Sequence, residues 1–365
     1  MQLVLHLDDS SIAALIDADG AERAVWNAFA AWGRGEAATT QRSRATSPGG
    51  MASAMAAVVP PYCGGKVYST APHPDGGAPR FTFVNVLFDT AGALLATMDG
   101  GLLTALRTPA ISSLAVHHLA RPGSTIAAVI GAGNQGWPHV EMLHRVLPGL
   151  TDLRIAARPG SAAAARLTAR AVAAGIPARL VDRPGDAVAG AHVVVTVTNA
   201  TTPLFPADAI GDDTLVCAVG ATKYDRVEIP GELVARCSTV VCDDVAGSRV
   251  ECGDLIAAAR TGHFDWADAV ELHAVAAGTV TLPRAGDAPV LFESQGVAVA
   301  DIAVSGYAYD RLVAGSVHNG TPGPHTTIPT FPTIDTTTVD TTTIDTTTID
   351  TTTIDTTTPT REVTT

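Results

Sequence analysis

Lysine is almost missing from this chain. Of 23 basic residues in 365, only Lys66 and Lys223 are lysines and the other 21 are arginines, so a lysine here is not the default surface cation. The charge balance is acidic, −13 at pH 7, with no basic block and 5% aromatics, which argues against nucleic acid as a partner. No run of eighteen apolar residues occurs, so no membrane span is expected. The opening "MQLVLHLDDSS" has neither a basic start nor a long apolar segment, and no secretory leader is expected from it. The five cysteines (63, 217, 237, 242 and 252) form no CxxC pair and are odd in number, so they read as reduced thiols of a cytoplasmic protein. The eleven histidines show no HxxxH or HExxH spacing, and no metal is expected.

What is present is enough apolar material, 46% of residues, to fill the cores of two ordinary domains. "LVLHL" reads as a strand, followed by a helix cap at Asp8 or Asp9 and helical patterns through "IAALI" and "AERAVWNAFAAW". Residues 80–99 read as two strands joined by a turn at Thr90–Gly92, and "LLTALRTPAISSLAVHHLA" as a helix ending at Arg121-Pro122-Gly123. From Ser124 apolar strands alternate with Ala-rich helices, with strands at 125–130, 152–157, 178–181, 192–197, 214–219 and 239–242. That alternation predicts an α/β fold around a parallel sheet covered on both faces. From Thr333 the chain repeats "TIDTT" with period five. One aliphatic residue in five cannot offset the ordering entropy, so residues 321–365 are expected to be a disordered low-complexity tail.

The sharpest motif is "TIAAVIGAGNQGWPHVEML". Gly131, Gly133 and Gly136 follow a strand directly and open a helix, with Asn134 and Gln135 between them and Pro138 in the first helical turn. Glycines at this spacing allow a tight turn and close backbone approach to a pyrophosphate at the helix N-terminus. The next strand, "LRIAARPGS", ends without the acid that pairs with ribose hydroxyls and offers Arg158 and Ser161 instead. A guanidinium pairs with a 2′-phosphate that a carboxylate would repel, so NADPH is expected, with NADH possible.

Three stretches, "DGGLLTALRTPAISSLAVHHLAR" (99–121), "VIGAGNQG" (129–136) and "FESQGVAVADIA" (292–303), together resemble the ornithine cyclodeaminase / mu-crystallin family. "LFDTAGALLATMDG" and "QRSR…VVPPYCGGKV" add weaker agreement, and the likeness runs over about residues 3–315. The resemblance implies a Rossmann doubly wound domain (123–292) and an α+β substrate-binding and dimerisation domain built from both chain ends (1–122 and 293–320), with a homodimer as the assembly. It further implies that Arg44, Lys66 and Arg107 bind the carboxylate of an amino or imino acid, a role suited to two guanidiniums and an ammonium. By the same resemblance Thr108 and Thr198 stand near the cofactor, and Ser294 and Gly296 lie on the loop beside the nicotinamide. Lys66 and Arg107 are the expected catalytic pair, and Asp301 or Asp225 the possible acid.

Family members that eliminate ammonia carry an aspartate in a "GGD" sequence after the strand corresponding to 214–219, where a carboxylate can manage protons on a side-chain amine. Here that place reads Ala221-Thr222. The chain therefore resembles the ketimine reductase and alanine dehydrogenase branch, which implies a single hydride transfer from NAD(P)H to a 2-imino acid. The alternatives are an ornithine cyclodeaminase using Asp225 or Asp301 as substitute acid, a non-catalytic NADPH-binding protein of crystallin type, and an enzyme that condenses an amine with its second substrate before reduction.

Overall fold

The computed structural model describes residues 5–73 and 80–319, so the repeat expected to be disordered lies outside the described residues. Among the described residues the strands form two sheets. The first contains β1 (Leu5–Leu7), β2 (Ala38–Thr39), β3 (Ser43–Ser47), β4 (Gly50–Val59), β5 (Tyr62–Ala71), β6 (Arg80–Asp89) and β7 (Leu94–Asp99). Their order is β1-β7-β6-β5-β4-β2, with β3 also paired to β4. β1 joins β7 in parallel and the other pairs are antiparallel.

Along β4, Ser53, Met55 and Ala57 are buried while Ala52, Ala54, Ala56 and Val58 are exposed, the two-residue period of a sheet with one covered face. Helices Ala18–Gly33, Gly100–Leu119 and Ala298–Asn319 supply the cover. The predicted strands at 80–99 and the helix after them are present as β6, β7 and Gly100–Leu119. Asp8 caps the first helix (Asp9–Leu15), accepting from the Ser11 amide at 2.8 Å. β4 carries no strand prediction, because "MASAMAAVV" is rich in alanine, the strongest helix former, and has small apolar residues on both faces. Pairing with β3 and β5 on either side decides its conformation.

The second sheet contains β8 (Ile126–Ile130), β9 (Asp152–Ala156), β10 (Ala178–Leu180), β11 (Val193–Thr196), β12 (Leu215–Ala218), β13 (Thr239–Cys242), β14 (Ala269–Glu271) and β15 (Val290–Glu293). All are parallel, in the order β10-β9-β8-β11-β12-β15-β13-β14. The six strands predicted from the alternation are all here. β14 and β15 are additional; β15 hides in the sequence because only four residues, "VLFE", carry it. The order reverses at β8, whose neighbours are β9 and β11, and such a switch point opens a ligand crevice at the strand C-termini. The chain then leaves β15 through Ser294–Val297 into the helix Ala298–Asn319, which packs on β4, β5 and β6 of the first sheet. No helix among the described residues is long and apolar enough to cross a membrane.

Candidate active site

Lys66 lies on the covered face of β5, opposite Met55 of β4 and Asn85 of β6, and its side chain is 1% exposed. Such burial requires partners. Its ammonium donates to the Thr104 hydroxyl at 2.5 Å and to Asp301 Oδ1 at 3.0 Å, and sits 4.8 Å from the centre of the Phe83 ring. Asp301 comes from the first turn of the helix Ala298–Asn319. The same oxygen accepts from Arg107 Nε at 3.2 Å, so the helix Gly100–Leu119, β5 and the C-terminal helix converge on one carboxylate. Burial pulls the Lys66 ammonium down to about 8, against the attraction of Asp301. Burial alone would raise Asp301, but Arg107 and then Lys66 outweigh it and hold the carboxyl below its ordinary value. Asp301 is thus an ionised counter-charge and not the proton donor considered for it, and the cluster carries one net positive charge.

Arg44 does not join this cluster. One of its terminal nitrogens is 2.6 Å from Glu251 Oε1 and the other donates to the Thr222 carbonyl at 3.0 Å. Arg42, absent from the sequence expectations, holds the other oxygen of Glu251 at 2.6 Å and donates to the carbonyls of Gln295 and Gly296 at 2.9 and 3.0 Å. Arg42 lies just before β3 (Ser43–Ser47), and no motif or period in the sequence marks it. Glu251 ends the short helix Val245–Glu251 and had no sequence signal. Gly296, at φ 82°, separates the two cation groups. Its left-handed backbone favours glycine, and a Cβ there would stand 2.5 Å from Arg107 Nη1 and displace the guanidinium.

The glycine loop has the geometry its motif predicts. Gly131 adopts φ 124° and a Cβ on it would meet the Val197 carbonyl at 2.6 Å, whereas the space around Gly133 is open. Gly133 and Asn134 are exposed, a backbone surface that a pyrophosphate can approach. His139, buried and pushed down to about 4, is neutral. One ring nitrogen faces the Gln135 carbonyl at 2.8 Å and the other the Ser112 hydroxyl at 3.0 Å. The Gln135 side-chain amide also reaches the Thr104 carbonyl at 3.4 Å, so the loop is tied to the helix that carries Arg107.

Thr108 turns its hydroxyl back to the Thr104 carbonyl at 2.8 Å. Buried Glu228 joins the ends of β11 and β12, accepting from the Thr196 hydroxyl at 2.8 Å and from the amides of Thr198 and Gly220 at 2.6 and 2.8 Å. Ser294 and the Gly296 amide both donate to Asp243 at 2.7 Å, which fixes the loop after β15. Arg158 is exposed, and with Ser161, the N-cap of helix Ala162–Ala173, lines a surface cleft that also includes Leu180 and Asp182. Asp225 is not brought to the site: it is exposed and sits 3.7 Å from Arg226.

Comparison with known proteins places these residues in context. A family model described as the ornithine cyclodeaminase/mu-crystallin family matches residues 5–316. The chain is 37% identical over 226 residues to a Delta(1)-pyrroline-2-carboxylate/Delta(1)-piperideine-2-carboxylate reductase of Azospirillum brasilense, covering 62% of this chain and 68% of that one. It is 30% identical over 247 residues to the ketimine reductase mu-crystallin of Rattus norvegicus, covering 67% and 74%. Among solved structures, the Delta(1)-pyrroline-2-carboxylate reductase of Thermococcus litoralis, in complex with NADH and L-proline, superposes with a TM-score of 0.80 at 26% identity, covering 86% of this chain and 98% of that one.

Proposed function

The chain belongs to the ornithine cyclodeaminase/mu-crystallin family, and from that footing we propose that it is an NAD(P)H-dependent reductase of 2-imino acids, acting on C=N bonds of small cyclic or linear substrates. The observation that carries the choice within the family is the contact between Arg44 and the Thr222 carbonyl. It sets the loop after β12 beside the Arg42–Arg44–Glu251 group that borders the substrate cations, and the loop carries Ala221 and Thr222 where deamination needs an acid. The competing cyclodeaminase reading is tested with ornithine or lysine and NADP⁺. Proline or pipecolate formed with ammonia and no net NADPH use would sink the reductase; oxidation of NADPH by Delta(1)-pyrroline-2-carboxylate supports it.

The open glycine loop fits a dinucleotide, which when bound supplies a hydride from C4 of its nicotinamide. The chain's residues hold the substrate for that transfer. Both terminal nitrogens of Arg107 are without protein acceptors among the described residues, and with the Lys66 ammonium they take the carboxylate. This fixes the imine carbon in one orientation. An iminium that accepts hydride becomes a neutral amine, so a substrate arriving protonated needs no acid; for a neutral imine Lys66 donates the proton. Residues 1–122 and 293–320 act as the substrate domain and 123–292 as the dinucleotide domain. All five thiols are unpaired, in keeping with a cytoplasmic setting.

Arg158 and Ser161 favour the 2′-phosphate of NADPH. Arg158→Ala is expected to lower the ratio of kcat/KM for NADPH over NADH about tenfold, the scale of one charge-assisted hydrogen bond; an unchanged ratio removes Arg158 from cofactor selection. A homodimer is the assembly we infer. The uncovered face of the first sheet carries Ala54, Ala56, Val58 and Val67, and Val67 is 51% exposed, an apolar strip that a second copy can cover. Val67→Glu is expected to convert the dimer to monomer in light scattering, and a dimer that persists would place the interface elsewhere.

A further inference from the structure

The two cation groups of the site differ in what remains free on them. In the first, Asp301 uses the Nε of Arg107 and the ammonium of Lys66, leaving the two terminal nitrogens of Arg107 for a ligand. In the second, each of the four terminal nitrogens of Arg42 and Arg44 already has a protein acceptor: one from each faces Glu251, and the others face the carbonyls of Gln295, Gly296 and Thr222. Glu251, at 7% exposure, is the acceptor common to both. The groups are neighbours, because Gly296 gives its carbonyl to Arg42 while its Cα lies against the Arg107 guanidinium. A small cavity runs beside the second group, lined by Arg42, Met55, Ser248, Glu251 and Gly296.

We propose that Glu251 is a specificity-determining residue: it stands as an internal carboxylate on Arg42 and Arg44, and so restricts the site to imino acids with a single carboxylate. This rests on the reductase reading above. A substrate with a second carboxylate on its side chain brings an anion toward Glu251 and finds the guanidiniums already paired, so it meets like-charge repulsion without compensation. Removing the Glu251 charge releases one terminal nitrogen on each arginine in a geometry suited to a carboxylate. Each arginine also keeps a buried Nε–H without an acceptor, so donors remain even where a carbonyl stays bound.

The test compares reduction of the 2-imino acids formed from oxaloacetate and from pyruvate with ammonia, in the wild type and in Glu251→Gln. The dicarboxylate-to-monocarboxylate ratio of kcat/KM is expected to lie well below one in the wild type and to rise about tenfold or more in the variant, the worth of a charge-assisted hydrogen bond. Because Glu251→Gln leaves a buried and a half-buried guanidinium short of a counter-charge, the double variant Arg42→Gln/Glu251→Gln provides a charge-balanced check and should move the ratio in the same direction. Calorimetric binding of succinate against butyrate reads the same preference without turnover. A wild type that reduces the dicarboxylate as well as the monocarboxylate, or a ratio that neither variant moves, overturns the inference alone. If no imino acid is reduced by the wild type, the reductase reading falls; the succinate-to-butyrate preference then decides the role of Glu251 by itself, an unchanged preference rejecting it.

Discussion

Arg107→Ala is expected to lower kcat/KM for imino-acid reduction on the order of 10²–10³-fold, and Lys66→Ala by a similar factor. Arg107 offers its two terminal nitrogens as a planar fork, whereas the terminal nitrogens of Arg42 and Arg44 are held by Glu251 and by backbone carbonyls among the described residues. Lys66 is the charge opposite that fork. A substrate that loses either anchor still enters the crevice but presents the imine carbon over a wider range of angles, so both kcat and KM suffer. The two variants separate on pH. With its ammonium drawn down to about 8 by burial, Lys66 loses its proton as pH rises through that value, and wild-type kcat/KM should fall on the same limb. In Lys66→Arg, whose charge persists across the range, residual activity should lack this fall. Full activity in Arg107→Ala or Lys66→Ala, measured by NADPH oxidation, would remove the carboxylate clamp.

Asp301→Ala is expected to destabilise the protein by about 3–5 kcal/mol, because it strips the shared counter-charge from two buried cations. Asp301 is fully buried and accepts from Lys66 and Arg107 through one oxygen, and its second oxygen has no partner among the described residues. Asp301→Asn keeps the shape and loses the charge, so it should cost nearly as much if the charge matters most. A loss confined to Asp301→Ala would assign the effect to packing. The pH dependence has a definite sign. The folded carboxyl lies below its ordinary value, so its contribution is complete above the unfolded pKa of about 3.9 and disappears as pH falls through the lower folded value. The urea stability gap between wild type and Asp301→Asn should therefore be constant near neutrality and close in acid. A gap below about 1 kcal/mol at pH 7 would contradict a buried ion cluster of this kind.

The parts of the site that were legible in the sequence are those where function is written into consecutive residues. Gly131, Gly133 and Gly136 stand within six positions after a strand, and Lys66 stands out because the chain otherwise uses arginine. Arg107 lies within "LTALRT", a stretch that resembles the family closely. Asp225 looked as eligible as Asp301 because both are lone acids near motifs; the loop turns Asp225 outward toward Arg226, and the C-terminal helix turns Asp301 inward. β4 was hidden by alanine, whose local preference for helix is overruled by two neighbouring strands. Arg42 and Glu251 were not legible at all.

By itself the sequence determined the parallel sheet, the glycine turn between its first strand and the next helix, and the absence of an acid at Thr222, all of which are local patterns of period, spacing or substitution. Tertiary structure alone decided which charges are paired. Lys66 meets Asp301 across 235 positions of chain and Arg42 meets Glu251 across 209. No propensity or motif acts over such separations; packing of the C-terminal helix against the first sheet brings Asp301 to Lys66, and the fold sets the end of the helix Val245–Glu251 beside Arg42. In that water-poor setting each carboxylate must find its cations, since a buried charge without a partner costs more than the local chain can recover. That pairing leaves Arg107 free to bind and Arg44 engaged, although the two read alike in the sequence.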